Sequence, residues 1–437
     1  MSGMGLGDQA PPRRNSTDAF AKEVGPTWGS RLKGIEGLRG LAALAVVLDH
    51  TAQLHPVGGK FESLFEFTRY GLTLFFALSG FLLFRPFASA VLSGDRLPSS
   101  SRFLLNRLLR IAPGYVAIFV LSWLLLQTLV IRAGTLQHPA AAYGLLTDPL
   151  TVVLNLLLLQ GYSPRTINTG IEPAWSLGVE AVFYVVLPLV SLIAMNFRRL
   201  RGVNRWVAVL VPPAVLFGLG IAGKVVSAVT MNRAQSSYWQ LWGNSGHAVL
   251  ERSFFVQADL FAWGMVAAVI VIATDRRNLS TKSRGRSRVV SLILLLGSLL
   301  VLVLPGGDEH VHDAIVSVGA AAAILLVVVP KASEKVSWVA QVLELGPFRY
   351  LGRISFSVYL WHYPVMIWLD ERHLLPESGL IGVGGRFLIV SMATAGLASI
   401  TYWLVEHQAL KLKRSASRPT KKSALAIEDD AEALAAP

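Results

Sequence analysis

The sequence predicts an all-α protein that crosses a membrane about ten times, with one further helix too short to cross. Three observations carry this expectation. Apolar runs close to the ~20 residues that a bilayer demands recur along the whole 437-residue chain. Hydrophobic residues make up 53% of it and charged residues 15%, a balance unsuited to a soluble protein. Basic residues outnumber acidic ones, 40 to 27, and fall in short segments between the apolar runs, the distribution that holds loops on the cytoplasmic side. A nucleic-acid patch would gather such charge on one soluble face, so nucleic acid is not an expected partner. With no cysteine, disulfides, thiolate metal sites and a cysteine acyl-enzyme are excluded.

Residues 1–30 hold Pro11, Pro12, Arg13, Arg14 and scattered Gly and Ser. They have too little apolar surface to fold and no apolar signal-peptide core, so a disordered cytoplasmic tail is expected. A first span is predicted at 35–54 and a second at 70–84, continuing toward Ser89. Arg85, Arg96, Arg102, Arg107 and Arg110 then mark a cytoplasmic loop before a span at 111–131. Residues 150–160 are apolar but about half the required length. If they crossed, the span at 173–197 would end outside and strand Arg198, Arg199, Arg201 and Arg205 on the wrong face. They are therefore assigned to a re-entrant or packed half-helix. Further spans are expected at 206–226, 253–273, 289–304, 313–330, 351–369 and 385–406. The basic segment 275–288, Lys331, Lys335 and a disordered tail at 412–437 then all fall inside, with both termini cytoplasmic.

The first span carries the chemistry. It is apolar, yet it contains Glu36, Arg39, Asp49 and His50, and ionisable groups in a membrane helix mark functional sites by default. Arg39 and His50 are eleven residues apart, which places them within about 20° on one helical face and roughly 16 Å apart along the axis. One stripe thus holds a permanent cation at one end and a titratable base near the other. His50 can serve as a general base, oriented by Asp49 or another carboxylate, or it can be a structural histidine bonded between helices. Arg107 and Arg110, one turn apart, suit bidentate phosphate recognition as well as they suit a topology signal. Glu180, with Trp175 before it and Tyr184 one turn after it, is either a buried acid or the partner of an arginine in a neighbouring helix. His362 is expected at a depth similar to His50 and Glu180. Trp175, Tyr184 and His362 complete the list as acceptor or pocket residues. His310 and His312, beside carboxylates in the polar segment 306–313, read as solvated side chains, and no metal site is expected. Ala77, Ser79 and Gly80 suit close helix packing; a serine nucleophile there has no local support.

Five stretches, in order, resemble one family: GLRGLAALAVVLDH, FFALSGFLL, RLLRIAP, WSLGVEAVFYVVLP and LGRISFSVYLWHYPV. Together they are similar to the acyltransferase-3 family of integral membrane O-acyltransferases, over about residues 33–406. The resemblance implies an acyltransferase domain over 31–411 and the stand-alone type, without a C-terminal SGNH hydrolase-like domain. It assigns the family's essential arginine and histidine to Arg39 and His50, and its donor-handling arginine pair to Arg107 and Arg110. It implies catalysis by His50, a multi-pass position in the inner (plasma) membrane, and no bound cofactor. The reading of the residues adds Glu180 and Asp49 as catalytic candidates, although the position of Asp49 is often apolar in the family. The co-substrate would be acyl-coenzyme A, acetyl-coenzyme A in the first instance, and the acceptor a hydroxyl of a glycan, glycolipid or glycosylated metabolite of the cell envelope. The rival reading is a transporter or flippase that uses the same buried charges as a pathway and does no acyl transfer.

Overall fold

A computed structural model describes residues 32–55, 65, 67–132, 142–231, 237–276, 281–303, 309–329, 336–377 and 379–416. Among them are ten α-helices of 20 to 26 residues, each long enough to cross a hydrocarbon core: α1 Ile35–Leu54, α2 Gly71–Ser93, α3 Ser100–Leu121, α5 Trp175–Leu200, α6 Val211–Thr230, α7 Phe254–Arg276, α8 Thr281–Val303, α9 Glu309–Val328, α10 Gly346–Asp370 and α11 Gly379–Thr401. Eight are apolar enough to be membrane spans on composition alone. The other two, α1 with Arg39, Asp49 and His50 and α10 with Ser355, Ser357 and His362, are interrupted by polar groups, and they pack along each other. The short α4, Pro149–Leu156, is the expected half-helix. Asp148 caps it by accepting from the Thr151 amide at 2.9 Å, and Pro149 opens it. At ~12 Å it cannot cross.

The core forms where small residues let backbones meet. A side chain on Gly352 of α10 would strike the Glu36 carbonyl of α1, and one on Gly264 of α7 would strike the Ala77 carbonyl of α2. Ala77 and Gly80 thus serve the packing expected of them, while Ser79 turns toward α5. Helix α1 lies against α10, α11 and α2; α7 lies against α2, α6 and α9.

Several boundaries depart from expectation. Helix α3 begins at Ser100 rather than 111, and α8 at Thr281 rather than 289. Arg102, Arg107 and Arg110 are therefore helical. A hydropathy reading finds only the apolar stretch, whereas arginine sustains a helix beyond the apolar zone. At its other end α3 passes through a π turn, Ser122–Leu126, and stops at Gln127 with φ 56°. The last residues of the expected third span instead form strand β1, Leu129–Arg132, paired antiparallel with β2, Ala142–Gly144, because periodicity does not separate a short apolar strand from a helix end. His310 and His312 lie in the first turns of α9 rather than in a loop. Contrary to the solvated reading, His310 meets Glu251 at 3.4 Å. Residues 407–416 continue as a helix; the tails at 1–30 and 417–437 and the basic positions Lys331 and Lys335 lie outside the described residues.

Candidate active site

At the C-terminal end of α1, His50 meets two groups that fix its tautomer. His362 Nδ1 lies 2.6 Å from the Tyr359 carbonyl and so carries the proton, which leaves His362 Nε2 as an acceptor. His50 Nδ1 faces that nitrogen at 3.3 Å and the Val46 carbonyl at 2.9 Å. With an acceptor on both approaches, Nδ1 of His50 is the protonated nitrogen. Its Nε2 faces the Glu172 carboxylate at 3.6 Å, too far for a direct hydrogen bond. His362 is fully buried, whereas the side chains of His50 and Glu172 keep 20% and 21% of their surface open. Of the two histidines, His50 is the one a substrate can touch.

Glu172 is held in place by the loop before it. Gly170, at φ 83°, exchanges two backbone hydrogen bonds with Val130 and sits so close to Asn155 of α4 that a Cβ would strike that side chain. On the other side the Tyr359 hydroxyl donates to the Pro173 carbonyl at 2.8 Å and lies 2.6 Å from Ser176 Oγ. The hairpin, the half-helix and α10 thus converge on one short 3-10 turn, Glu172–Ala174. The sequence offered Asp49 or another carboxylate for this position. Asp49 is buried, bonds Gln53 and acts on His50 through its charge. Glu180 lies elsewhere.

It lies with the arginines. Arg39, toward the other end of α1, is within electrostatic reach of Arg107, Arg110, Glu180 and Tyr184, and its Nε lies 3.4 Å from Ser355 Oγ of α10. Glu180 accepts from Ser79 Oγ at 2.6 Å. Tyr184, one turn further along α5, interacts with Glu180, Arg107 and Arg110, so it belongs to this cluster rather than beside His50. The Arg107 guanidinium stands 5.7 Å from the Phe103 ring, and its buried Nε finds no hydrogen-bond partner among the described residues. Glu406 joins from a π turn, Tyr402–Glu406, where it accepts from Ser357 Oγ and interacts with Arg110 and Arg39. Among the described residues named here, three guanidiniums thus meet two carboxylates, a set that an anion would complete. Trp175 directly follows the Glu172–Ala174 turn, its ring 5.9 Å from the Arg252 guanidinium.

Sequence reasoning missed Glu172 and Glu406. Each left the signal that exposed Glu180, a carboxylate bordering or inside an apolar run, and each stands at an irregular turn rather than in a quoted motif. No group of three or more His, Cys, Asp or Glu suited to a metal occurs among the described residues.

A bundle of membrane-length helices with a cationic cluster and an accessible imidazole on one helical stripe defines an integral membrane protein with a built polar site. Residues 32–405 match the family described as an acyltransferase domain, and the chain belongs to that family, the acyltransferase-3 family of integral membrane O-acyltransferases. It is 24% identical over 410 residues to O-acetyltransferase OatA of Staphylococcus aureus (strain MRSA252), covering 90% of this chain and 60% of that protein. It is 22% identical over 347 residues to peptidoglycan O-acetyltransferase OatA of Listeria monocytogenes, covering 76% of this chain and 49% of that protein. The chain thus spans about half to three fifths of the length of these curated relatives.

Proposed function

We propose that this protein transfers a short acyl group, acetyl first, from acyl-coenzyme A on the cytoplasmic side to a hydroxyl of a cell-envelope glycan at the opposite face. The observation that carries the reading is the placement on α1 of a cationic cluster at one end and the accessible His50, its Nε2 opposite the Glu172 carboxylate, at the other. The phosphates of coenzyme A match the guanidiniums of Arg39, Arg107 and Arg110, whose forks pair with phosphate oxygens. The roughly 16 Å along the helix from Arg39 to His50 suits an extended donor arm lying between them.

His50 Nε2 then removes the proton of the acceptor hydroxyl, and the oxygen attacks the thioester carbonyl. The tetrahedral adduct collapses with loss of the coenzyme A thiolate, which takes the proton back from His50. Ester and free thiol are the products, with no net proton consumed. Glu172, opposite Nε2, stabilises the imidazolium while it lasts, and His362 holds the other nitrogen. A transient acyl group on His50 would use the same pieces in two steps. The names of the relatives favour a peptidoglycan-type acceptor.

The test uses the purified full-length protein in detergent with labelled acetyl-coenzyme A and a soluble oligosaccharide of β-linked N-acetylglucosamine. Labelled ester on the sugar, with stoichiometric free coenzyme A, is the expected result. Neither ester nor donor cleavage by folded protein would overturn the reading in favour of transport without chemistry.

A further inference from the structure

The two ends of α1 are held in the bundle by different means. Its glycines, Gly37 and Gly40, lie in the half that carries Arg39, and a side chain on either would strike backbone, the Leu343 carbonyl and the Gly352 amide respectively. Close backbone contact of that kind fixes the cationic end. From residue 41 to 54 the helix contains no glycine, and no basic residue stands in its last turn. The end that carries His50 needs its terminal carbonyls satisfied from elsewhere, because they are costly to leave unpaired at membrane depth and form the negative pole of the helix. Arg386 of α11, fully buried, supplies the partner. Its Nε donates to the Thr51 carbonyl and its Nη2 to the His55 carbonyl, both at 2.9 Å. Its Nη1 donates to the carbonyls of Pro376 and Glu377, at 2.8 and 3.1 Å, in the connection from α10 to α11. Asp370, the last residue of α10, is within electrostatic reach of Arg386 and meets His55 Nε2 at 2.8 Å.

From this arrangement we infer that Arg386 is a positioning residue for His50. Thr51 directly follows His50, and the Pro376–Glu377 segment leaves the helix that carries His362. One planar group therefore sets the end of α1 against α10. With it are set the 3.3 Å approach of His50 Nδ1 to His362 and the 3.6 Å approach of its Nε2 to Glu172. All three guanidinium nitrogens are engaged in a rigid fork, which a lysine ammonium cannot reproduce. Arg386 touches none of the reacting atoms and acts only through where it holds the base. A buried arginine at a helix end need not have such a role. Arg288 of α8 likewise donates to the Leu326 and Val329 carbonyls at the end of α9, a helix that contributes nothing to either cluster around α1, and it serves as the control.

This inference rests on the reading of His50 as the base, and the experiment separates the two. Full-length wild type, Arg386→Lys, Arg386→Met and Arg288→Lys are compared in detergent with labelled acetyl-coenzyme A and the β-linked N-acetylglucosamine oligosaccharide. Misplacing a reacting group by about 1 Å can cost about 10²-fold, so kcat per folded molecule falls about tenfold in Arg386→Lys and about a hundredfold in Arg386→Met. Acetyl-coenzyme A affinity, read by calorimetry, does not change, because the cationic end is fixed separately. Amide hydrogen exchange quickens over residues 47–55 and not over 35–45. Arg288→Lys lowers the melting temperature and leaves kcat per folded molecule as in wild type. Should Arg386→Met fail to fold, Arg386→Lys decides alone. Wild-type kcat per folded molecule in Arg386→Lys, or an equal loss in Arg288→Lys, overturns the positioning role while transfer by the wild type keeps the acyltransfer reading intact. Full transfer by His50→Ala, or none by the wild type, overturns that reading and the positioning role together.

Discussion

Two buried polar systems run through this helical bundle, and they are built on opposite terms. Between α6 and α7, Lys224 pairs with Asp259, the two side chains 7% and 0% exposed. Nearer the end of α6, Ser227 and Glu251 meet, and Glu251 also contacts His247 and His310, each at 3.4 Å. Each charge there faces an opposite or titratable partner, and the groups tie α6, α7 and α9 together. Around α1 the terms differ: among the described residues named above, three guanidiniums share two carboxylates, and an accessible histidine faces an accessible carboxylate. A matched buried pair closes on itself. An unmatched set is costly to maintain in a membrane and is explained by what it binds. Burial and charge, taken alone, would have nominated both systems.

The largest effect is expected at His50. His50→Ala removes the accessible imidazole of the site, and transfer falls by about 10²–10⁴-fold, the range for a general base. Donor affinity and thermal stability should match wild type, which calorimetry and melting curves can check. A comparable rate in the variant would erase the distinction between the two systems.

The matched pair should break in the opposite sense. Lys224→Met alone leaves Asp259 buried without its cation and costs about 3–5 kcal/mol of stability, read as a lowered melting temperature. Adding Asp259→Leu restores stability, because one carboxylate oxygen of Asp259 already lacks a hydrogen-bond partner among the described residues and a well-packed apolar pair can equal a buried ion pair. A double variant as unstable as the single one would show that the pair contributes more than mutual neutralisation.

Arg107→Lys sharpens the cationic side. Charge is kept and the planar fork is lost, so affinity for acetyl-coenzyme A should fall by about 1–3 kcal/mol with insertion unchanged. Wild-type affinity in calorimetry would reduce Arg107 to a topology signal. The smallest perturbation is a topology map: the cysteine-free chain accepts single cysteines in 275–288 and 306–313, and the basic-loop pattern predicts labelling from the cytoplasmic and opposite sides respectively. The reversed pattern would place the arginines and His50 on the wrong faces for cytoplasmic donor entry.

The sequence was most informative where local geometry suffices. Helical pitch alone put Arg39 and His50 on one stripe, length together with the side on which Arg198, Arg199, Arg201 and Arg205 must fall demoted residues 150–160 to the half-helix α4, and small residues marked the contact of α2 with α7. It was least informative where partners come from distant parts of the chain. The carboxylate opposite His50 is Glu172 rather than Asp49, because an irregular turn fastened by Gly170 and Tyr359 aims it there. Glu180, read either as a buried acid at the depth of His50 or as the partner of an arginine in a neighbouring helix, sits with the arginines, and Glu406 reaches them from a π turn that no helical period announces. Helix starts were placed late wherever arginine-rich turns precede the apolar stretch. His310, assigned to solvent, is captured by Glu251 because its helix begins earlier than hydropathy suggests.

The most direct measurement is ester formation per folded molecule, compared between His50→Ala and the Lys224→Met/Asp259→Leu double variant under identical conditions with labelled acetyl-coenzyme A and the N-acetylglucosamine oligosaccharide. The double variant should transfer at the wild-type rate while His50→Ala forms almost no ester. Full transfer by His50→Ala, or its loss in a stably folded double variant, would contradict the assignment of catalysis to the unmatched site on α1.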